Sequence, residues 1–122
     1  MLSDLAGWPI GQPQVWLDLT AEGLNPDGAV IDAEGRFWNA QWGAGRVAAY
    51  APDGSFVTAV ETPGAPHSSC PAFGGPDLKT LFITTALEHL DPAARASFPA
   101  SGQVFAFPGI ARGLPEPQVT LS

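Results

Sequence analysis

Residues 45–50 read GRVAAY and residues 102–107 read GQVFAF. Glycine, valine, alanine and an aromatic fall in the same slots of both hexapeptides, as expected of one strand present in two copies of a unit. Working outward, FWNA from Phe37 corresponds more loosely to LFIT from Leu81. The second copy is longer between these two elements because of an insertion within EHLDPAARASFPASG, residues 88–102. Asp91 as N-cap and Pro92 at the first helical position predict one short helix there. Without the insertion the unit is about 40–45 residues of four short strands, the spacing of a β-propeller blade. A small antiparallel sandwich with two similar halves competes with that reading, and two repeats do not separate them. A propeller ring takes at least about four blades, and this chain supplies about two.

Around the repeat, short apolar runs alternate with turn chemistry: PQVWLDL, GAVIDAEG, RFWNAQW, RVAAYAPDG and SFVTAVETP in the first half, then SSCPAFGGPD, LFITTAL, GQVFAFPG and PQVTLS. Each reads as a strand of four to seven residues. Asp-Ala-Glu-Gly at 32–35 and Pro-Asp-Gly at 52–54 put glycine where a left-handed backbone is needed, with aspartate placed to bond nearby amides. Tight antiparallel connections follow. The class is all-β, and residues 1–122 form a single domain.

Composition narrows the function. Hydrophobic residues make up 45% and charged residues 14% of the 122, which argues against disorder, and 14 glycines with 13 prolines leave little room for long helices. Twelve acidic and five basic residues give a net charge of −7. The cations Arg36, Arg46, Lys79, Arg95 and Arg112 are scattered, so nucleic acid is not an expected partner. The single cysteine, Cys70, rules out an internal disulfide, and a reducing compartment fits. The opening MLSDLAGWPIGQPQ has no basic start and no sustained apolar segment, against a signal peptide, and nothing approaches membrane-spanning length. A soluble, cytoplasmic protein with no membrane partner is the expectation.

Among chemistry-bearing residues, His67 and Cys70 in HSSC do not make a zinc site, because only His89 remains to join them. Cys70 reads as a small buried strand residue. Ser68 and Ser69 lack a nucleophile-elbow context. The glycines of WGAGR lie between strands, whereas phosphate loops open a helix, so they read as a hairpin loop. Trp38, Ala40 and Trp42 share one strand face and Phe37, Asn39 and Gln41 the other, with Trp42 placed to line a pocket rim. Asp27, in NPDG, is the remaining candidate. Taken alone, an aspartate in Pro-Asp-Gly is usually a turn residue, and the residues by themselves leave its role undecided.

The run GLNPDGAVIDAEGRFWNAQWGAGRVAAYAPDGSF, followed by CPAFGGPDLKTLFITTA and SGQVFAFPGIARG, resembles the sugar-lactonase family that includes gluconolactonases and regucalcin. The similarity runs from about residue 13 to 115 and matches the C-terminal part of that family. It implies a partial six-bladed β-propeller of about two four-stranded antiparallel blades, acting on a sugar lactone such as a gluconolactone or arabinonolactone. It also implies a divalent cation, calcium first and zinc or manganese next, with Asp27 as metal ligand and proton-transferring carboxylate. In the family the cation polarises the lactone carbonyl while water attacks. The family's glutamate and middle asparagine have no counterpart here, so the chain is expected to lack the full site. A non-catalytic calcium-binding or interaction propeller, or an inactive truncated product, is the alternative. Low stability or self-association through exposed blade edges is expected. With Asp27 at the channel mouth, Trp42–Arg46, His67–Ser68 and the insertion around His89–Ser101 should share its face, and the insertion is a partial lid or a solvated loop.

Overall fold

Among the described residues, seven strands and one short α-helix form in the order the turn chemistry dictates, after a 3-10 turn at Thr20–Glu22. They are β1 (Asn25–Ile31), β2 (Phe37–Trp42), β3 (Arg46–Tyr50), β4 (Phe56–Glu61), β5 (Ser68–Gly74), β6 (Thr80–Thr85), α1 (Pro92–Ser97) and β7 (Val104–Pro108). The structure, a computed structural model, describes residues 4–121. The first residues of the opening segment read against a signal peptide, and the last of the strand expected at 117–122, lie outside the described residues. Two antiparallel sheets result, β1-β2-β3-β4 and β5-β6-β7. The turns behave as their sequences require. Gly35 and Gly54 sit at φ 79° and 85°, and Asp53 accepts the Ser55 amide at 2.9 Å. Asp91 caps α1 by accepting the Ala94 amide at 2.8 Å.

The first sheet is the four-stranded blade expected, but the second has three strands. Residues 117–121 of PQVTLS do not pair. Pro115 and Pro117 each remove a backbone donor on the approach, and Val119 and Leu121 remain exposed. PQVWLDL is not a strand either. Its apolar side chains are used elsewhere: Leu17 and Leu19 pack on Ala48 and Tyr50 across one face of the first sheet, and the Trp16 indole N–H donates to the Pro52 carbonyl at 2.9 Å.

The core lies between the sheets. Trp38, Ala40, Val47 and Ala49 of the first face Leu81 and Ile83 of the second, with Phe73, Phe105 and Phe107 at the margin. Contact between the sheets is made by β5 against β1 and β2 and falls away toward β3, so the two splay like adjacent blades. The internal repeat sharpens this. Trp38, Ala40, Val47 and Ala49 are all buried, while their repeat equivalents Phe82, Thr84, Val104 and Ala106 are all exposed. Val47 is 0% and Val104 61% accessible. The same face is therefore covered in one copy of the unit and bare in the other. Cys70 pairs with Thr84 on β6, and it is exposed rather than buried as the sequence suggested. Its thiol is expected to react with an aromatic disulfide reagent in native buffer at nearly the rate of the unfolded chain; protection until denaturant is added would contradict this.

After β7 the chain turns back across both sheets. The Ala33 amide donates to Arg112 O at 2.7 Å and the Gly113 amide to Leu78 O at 2.8 Å. Gly113 is buried against Phe73, and a Cβ there would lie 2.6 Å from Phe73 Cγ and closer still to Phe73 Cβ. Gly113→Ala is expected to cost about 1–3 kcal/mol through overpacking, read as a lowered urea midpoint with an unchanged slope.

Candidate functional site

The starts of β1, β3, β5 and β7 and the ends of β2, β4 and β6 fall at one end of the two sheets, because the strands alternate in direction. Asp27 lies there, near the start of β1. Between Pro26, paired with Gln41, and Ala29, paired with Asn39, the register shifts. Asp27 and Gly28 therefore stand opposite the single residue Ala40, a β-bulge, the device that re-aims a side chain at a strand end. Asp27 is exposed, and among the described residues its carboxylate has no hydrogen-bond or salt-bridge partner. Two contacts hold the bulge. Gly28 packs so closely on β5 that a Cβ would meet Ser69 O at 2.7 Å and Cys70 Cα at 2.9 Å. From β2, the Asn39 amide nitrogen donates to Asp27 O at 3.2 Å and to Gly28 O at 3.3 Å.

The rest of the rim is well tied. The Gly43 and Gly45 amides both donate to Pro66 O at 2.9 Å, which confirms WGAGR as a hairpin loop between β2 and β3. Trp42 stacks on His67 with ring centroids 4.3 Å apart and planes 11° from parallel. Thr62 Oγ1 and Ser68 Oγ lie 2.8 Å apart and are buried, so Ser68 is structural. The insertion between β6 and β7 folds toward the same rim: the Ala100 amide donates to Gly64 O at 3.1 Å, and Phe98 joins Gly43–Gly45, Thr62 and Gly64–Pro66 around a shallow cavity. The structure thus brings Trp42, His67 and part of the insertion to the end of the sheets that carries Asp27.

At the opposite end of β1 lies a carboxylate that sequence reading treated only as a turn residue. Asp32, 1% accessible, accepts the Glu34 and Arg36 amides at 2.9 Å through one oxygen, and Arg36 Nε at 2.7 Å with Trp38 Nε1 at 2.8 Å through the other. Burial pushes its pKa up, but the hydrogen bonds from Trp38, Arg36 and Glu34 outweigh it and hold Asp32 below the usual carboxylate value. It fastens the β1–β2 turn to the core tryptophan. The sequence signal for it was spacing: an aspartate four residues before an arginine and six before a tryptophan that must bury an N–H.

Among the described residues no three histidine, cysteine, aspartate or glutamate side chains come together as a metal site. Calcium takes six to eight oxygen ligands, and no cluster of side chains among the described residues supplies such a set.

Splayed four- and three-stranded antiparallel sheets, stacked face to face with the site at the strand ends, define part of a β-propeller. The sequence model of the SMP-30/gluconolactonase/LRE-like region matches residues 3–87, and the chain belongs to that family. The 6-deoxy-6-sulfogluconolactonase of Pseudomonas putida is 42% identical over 84 residues, 69% of this chain and 28% of that protein. The L-arabinolactonase of Azospirillum brasilense is 37% identical over 99 residues, 81% of this chain and 32% of that protein. A crystal structure of a calcium-binding protein, regucalcin, from Agrobacterium tumefaciens superposes with a TM-score of 0.88 at 41% identity, over 94% of this chain and 39% of that one. The chain spans about a third of the length of the curated relatives it matches. No helix among the described residues is long and apolar enough to cross a membrane.

Proposed function

We propose that these residues form two blades of a six-bladed sugar-lactone hydrolase and that Asp27 is its reactive carboxylate. The observation that carries the reading is the bulge: an exposed carboxylate with no partner of its own among the described residues sits on a backbone held from two sides, at the end of the sheets that also carries Trp42 and His67. Family membership and the lactonases among its relatives supply the substrate class.

Hydrolysis of a lactone adds water to the ring carbonyl carbon and breaks the bond from that carbon to the ring oxygen, giving a hydroxy acid. One proton must leave the attacking water and one must reach the departing ring oxygen. The Asp27 carboxylate takes the first and returns it as the second, a role that needs a mobile proton at a fixed place. Asp27 is also one oxygen ligand for a divalent cation, calcium before zinc or manganese, whose remaining ligands lie in blades outside this chain. A reducing cytoplasm suits the exposed, unbridged Cys70 thiol.

The test is a chimera in which the aligned residues of this chain replace their counterparts in the Azospirillum L-arabinolactonase. Lactone opening above the spontaneous rate, lost on chelation, supports the reading. A folded chimera that binds calcium and leaves lactone intact supports the non-catalytic alternative instead.

The 122-residue chain alone is a separate case. Its bare face of Phe82, Thr84, Val104 and Ala106, continuous with the free edge of β7, favours association. Sedimentation is expected to give species larger than the monomer as concentration rises, and Val104→Lys is expected to reduce them. A concentration-independent monomer with a sharp two-state melt would contradict this.

A further inference from the structure

We infer that Asn39 is a positioning residue for Asp27, acting entirely through the backbone of the bulge. This rests on the reading of Asp27 as the reactive carboxylate. Asn39 is 1% accessible and sits on β2 between Phe37 and Gln41, on the face turned away from the inter-sheet core. A buried asparagine in a central strand requires a reason, since burying an amide without partners is costly. Its partners identify the reason. The bulge disrupts the ladder at Asp27 and Gly28, and the side-chain nitrogen of Asn39 has two hydrogens and reaches the carbonyl oxygens of both, at 3.2 and 3.3 Å. Two acceptors on one atom fix which end of the amide faces the bulge, because an oxygen there would meet two oxygens. The Asn39 Oδ1 is left buried with no hydrogen-bond partner, so the amide satisfies the bulge at the expense of its own second half.

The choice of residue is specific. Aspartate and leucine have no donor at that place, serine has one, and glutamine is a methylene too long for a site buried between β1 and β3. With Gly28 pressed on β5 from the other side, the Asp27 backbone is clamped between two strands while its side chain stays free of hydrogen bonds. A carboxylate that must trade protons gains from that arrangement: its location is set by the main chain, and none of its own acceptor capacity is used in setting it.

The experiment uses the isotopically labelled 122-residue chain carrying Val104→Lys on its bare face to limit association, and this parent takes the place of wild type. The Cα–Cβ residual dipolar coupling of Asp27 reads the direction in which the side chain leaves the backbone, and amide exchange at Gly28 and Ala29 reads the bulge. The parent is expected to fit the structure. Asn39→Leu is expected to scale down the Asp27 coupling and to speed exchange at residues 28–29 by about tenfold or more, with couplings in β3 and at Asp53 unchanged. Asn39→Ser, which keeps one donor, is expected to fall between them and serves if the leucine variant does not fold. Unchanged coupling and exchange at Asp27 and Gly28 in a folded variant would overturn the inference, and so would a loss spread evenly over the first sheet, the mark of a general stability effect. In the arabinolactonase chimera Asn39→Leu is expected to lower kcat about tenfold with KM within twofold. Equal losses in an Asp27→Asn background would place Asn39 outside the path through Asp27. A chimera without any activity would remove the lactonase reading and leave the clamp to be decided by the couplings.

Discussion

Asp27→Asn in the arabinolactonase chimera is expected to reduce lactone opening by about 10²–10⁴-fold, the range in which a positioned general acid or base contributes. Asparagine matches the shape of aspartate but neither takes nor returns a proton, and it is a weaker ligand for a hard cation. The backbone of the bulge should tolerate the change, because the two hydrogen bonds from Asn39 go to main-chain carbonyls and not to the Asp27 side chain. Melting temperature should therefore stay within a degree or two of the parent while turnover collapses. Initial rates with an arabinonolactone, followed by proton release and corrected for spontaneous opening, make the measurement. A folded variant retaining more than a tenth of the parental rate would remove Asp27 from the chemistry.

The second large effect is on stability and lies at the other end of the same strand. Asp32→Ala is expected to cost about 3–5 kcal/mol, equivalent to a fall of roughly 10–20 °C in Tm for a chain of this size. The substitution strands the buried Trp38 indole N–H and frees Arg36, which keeps only its contact with Glu34 at 3.1 Å. Because hydrogen bonding holds the folded-state pKa of Asp32 below its unfolded value, the carboxylate binds fewer protons when folded. Its contribution is complete above the unfolded pKa of about 4 and disappears as pH falls through the lower, folded value. Denaturant midpoints measured from pH 7 downward should converge for parent and Asp32→Asn once the pH has fallen through the lowered, folded-state value. A constant gap at every pH would show that the carboxylate charge is not what Trp38 and Arg36 require.

Particular residues explain how far sequence reading carried. GRVAAY and GQVFAF located β3 and β7, and the looser FWNA and LFIT located β2 and β6, because alternation and glycine turns are local properties. Asp91 and Pro92 placed α1 for the same reason. PQVWLDL and PQVTLS had equally good strand patterns and formed none, since pairing needs an available neighbouring edge and the first segment instead spreads Leu17 and Leu19 over the face of the first sheet. Cys70 was misplaced as buried because which face of β5 points at a neighbour depends on whether a blade covers it. Asp27 was legible as a family motif and ambiguous as chemistry. Asp32 looked like another turn aspartate, and Asn39 like an ordinary strand residue, because their partners, Trp38 and the Asp27–Gly28 carbonyls, come within reach only across a strand pair.

By itself the sequence determined the all-β class, the repeat of the paired strands β2–β3 and β6–β7, most of the turns, the helix in the insertion and the family to which the chain belongs. Each depends on periodicity, backbone conformation or residue order along the chain. Tertiary structure alone decided that the second sheet stops at three strands, that one repeat face is covered and its equivalent bare, and that Asp27 sits on a bulge gripped by Asn39 and β5. Those outcomes turn on which groups meet across strands and between sheets. A one-residue register shift creates the bulge, and no local pattern encodes which side chain will reach its carbonyls.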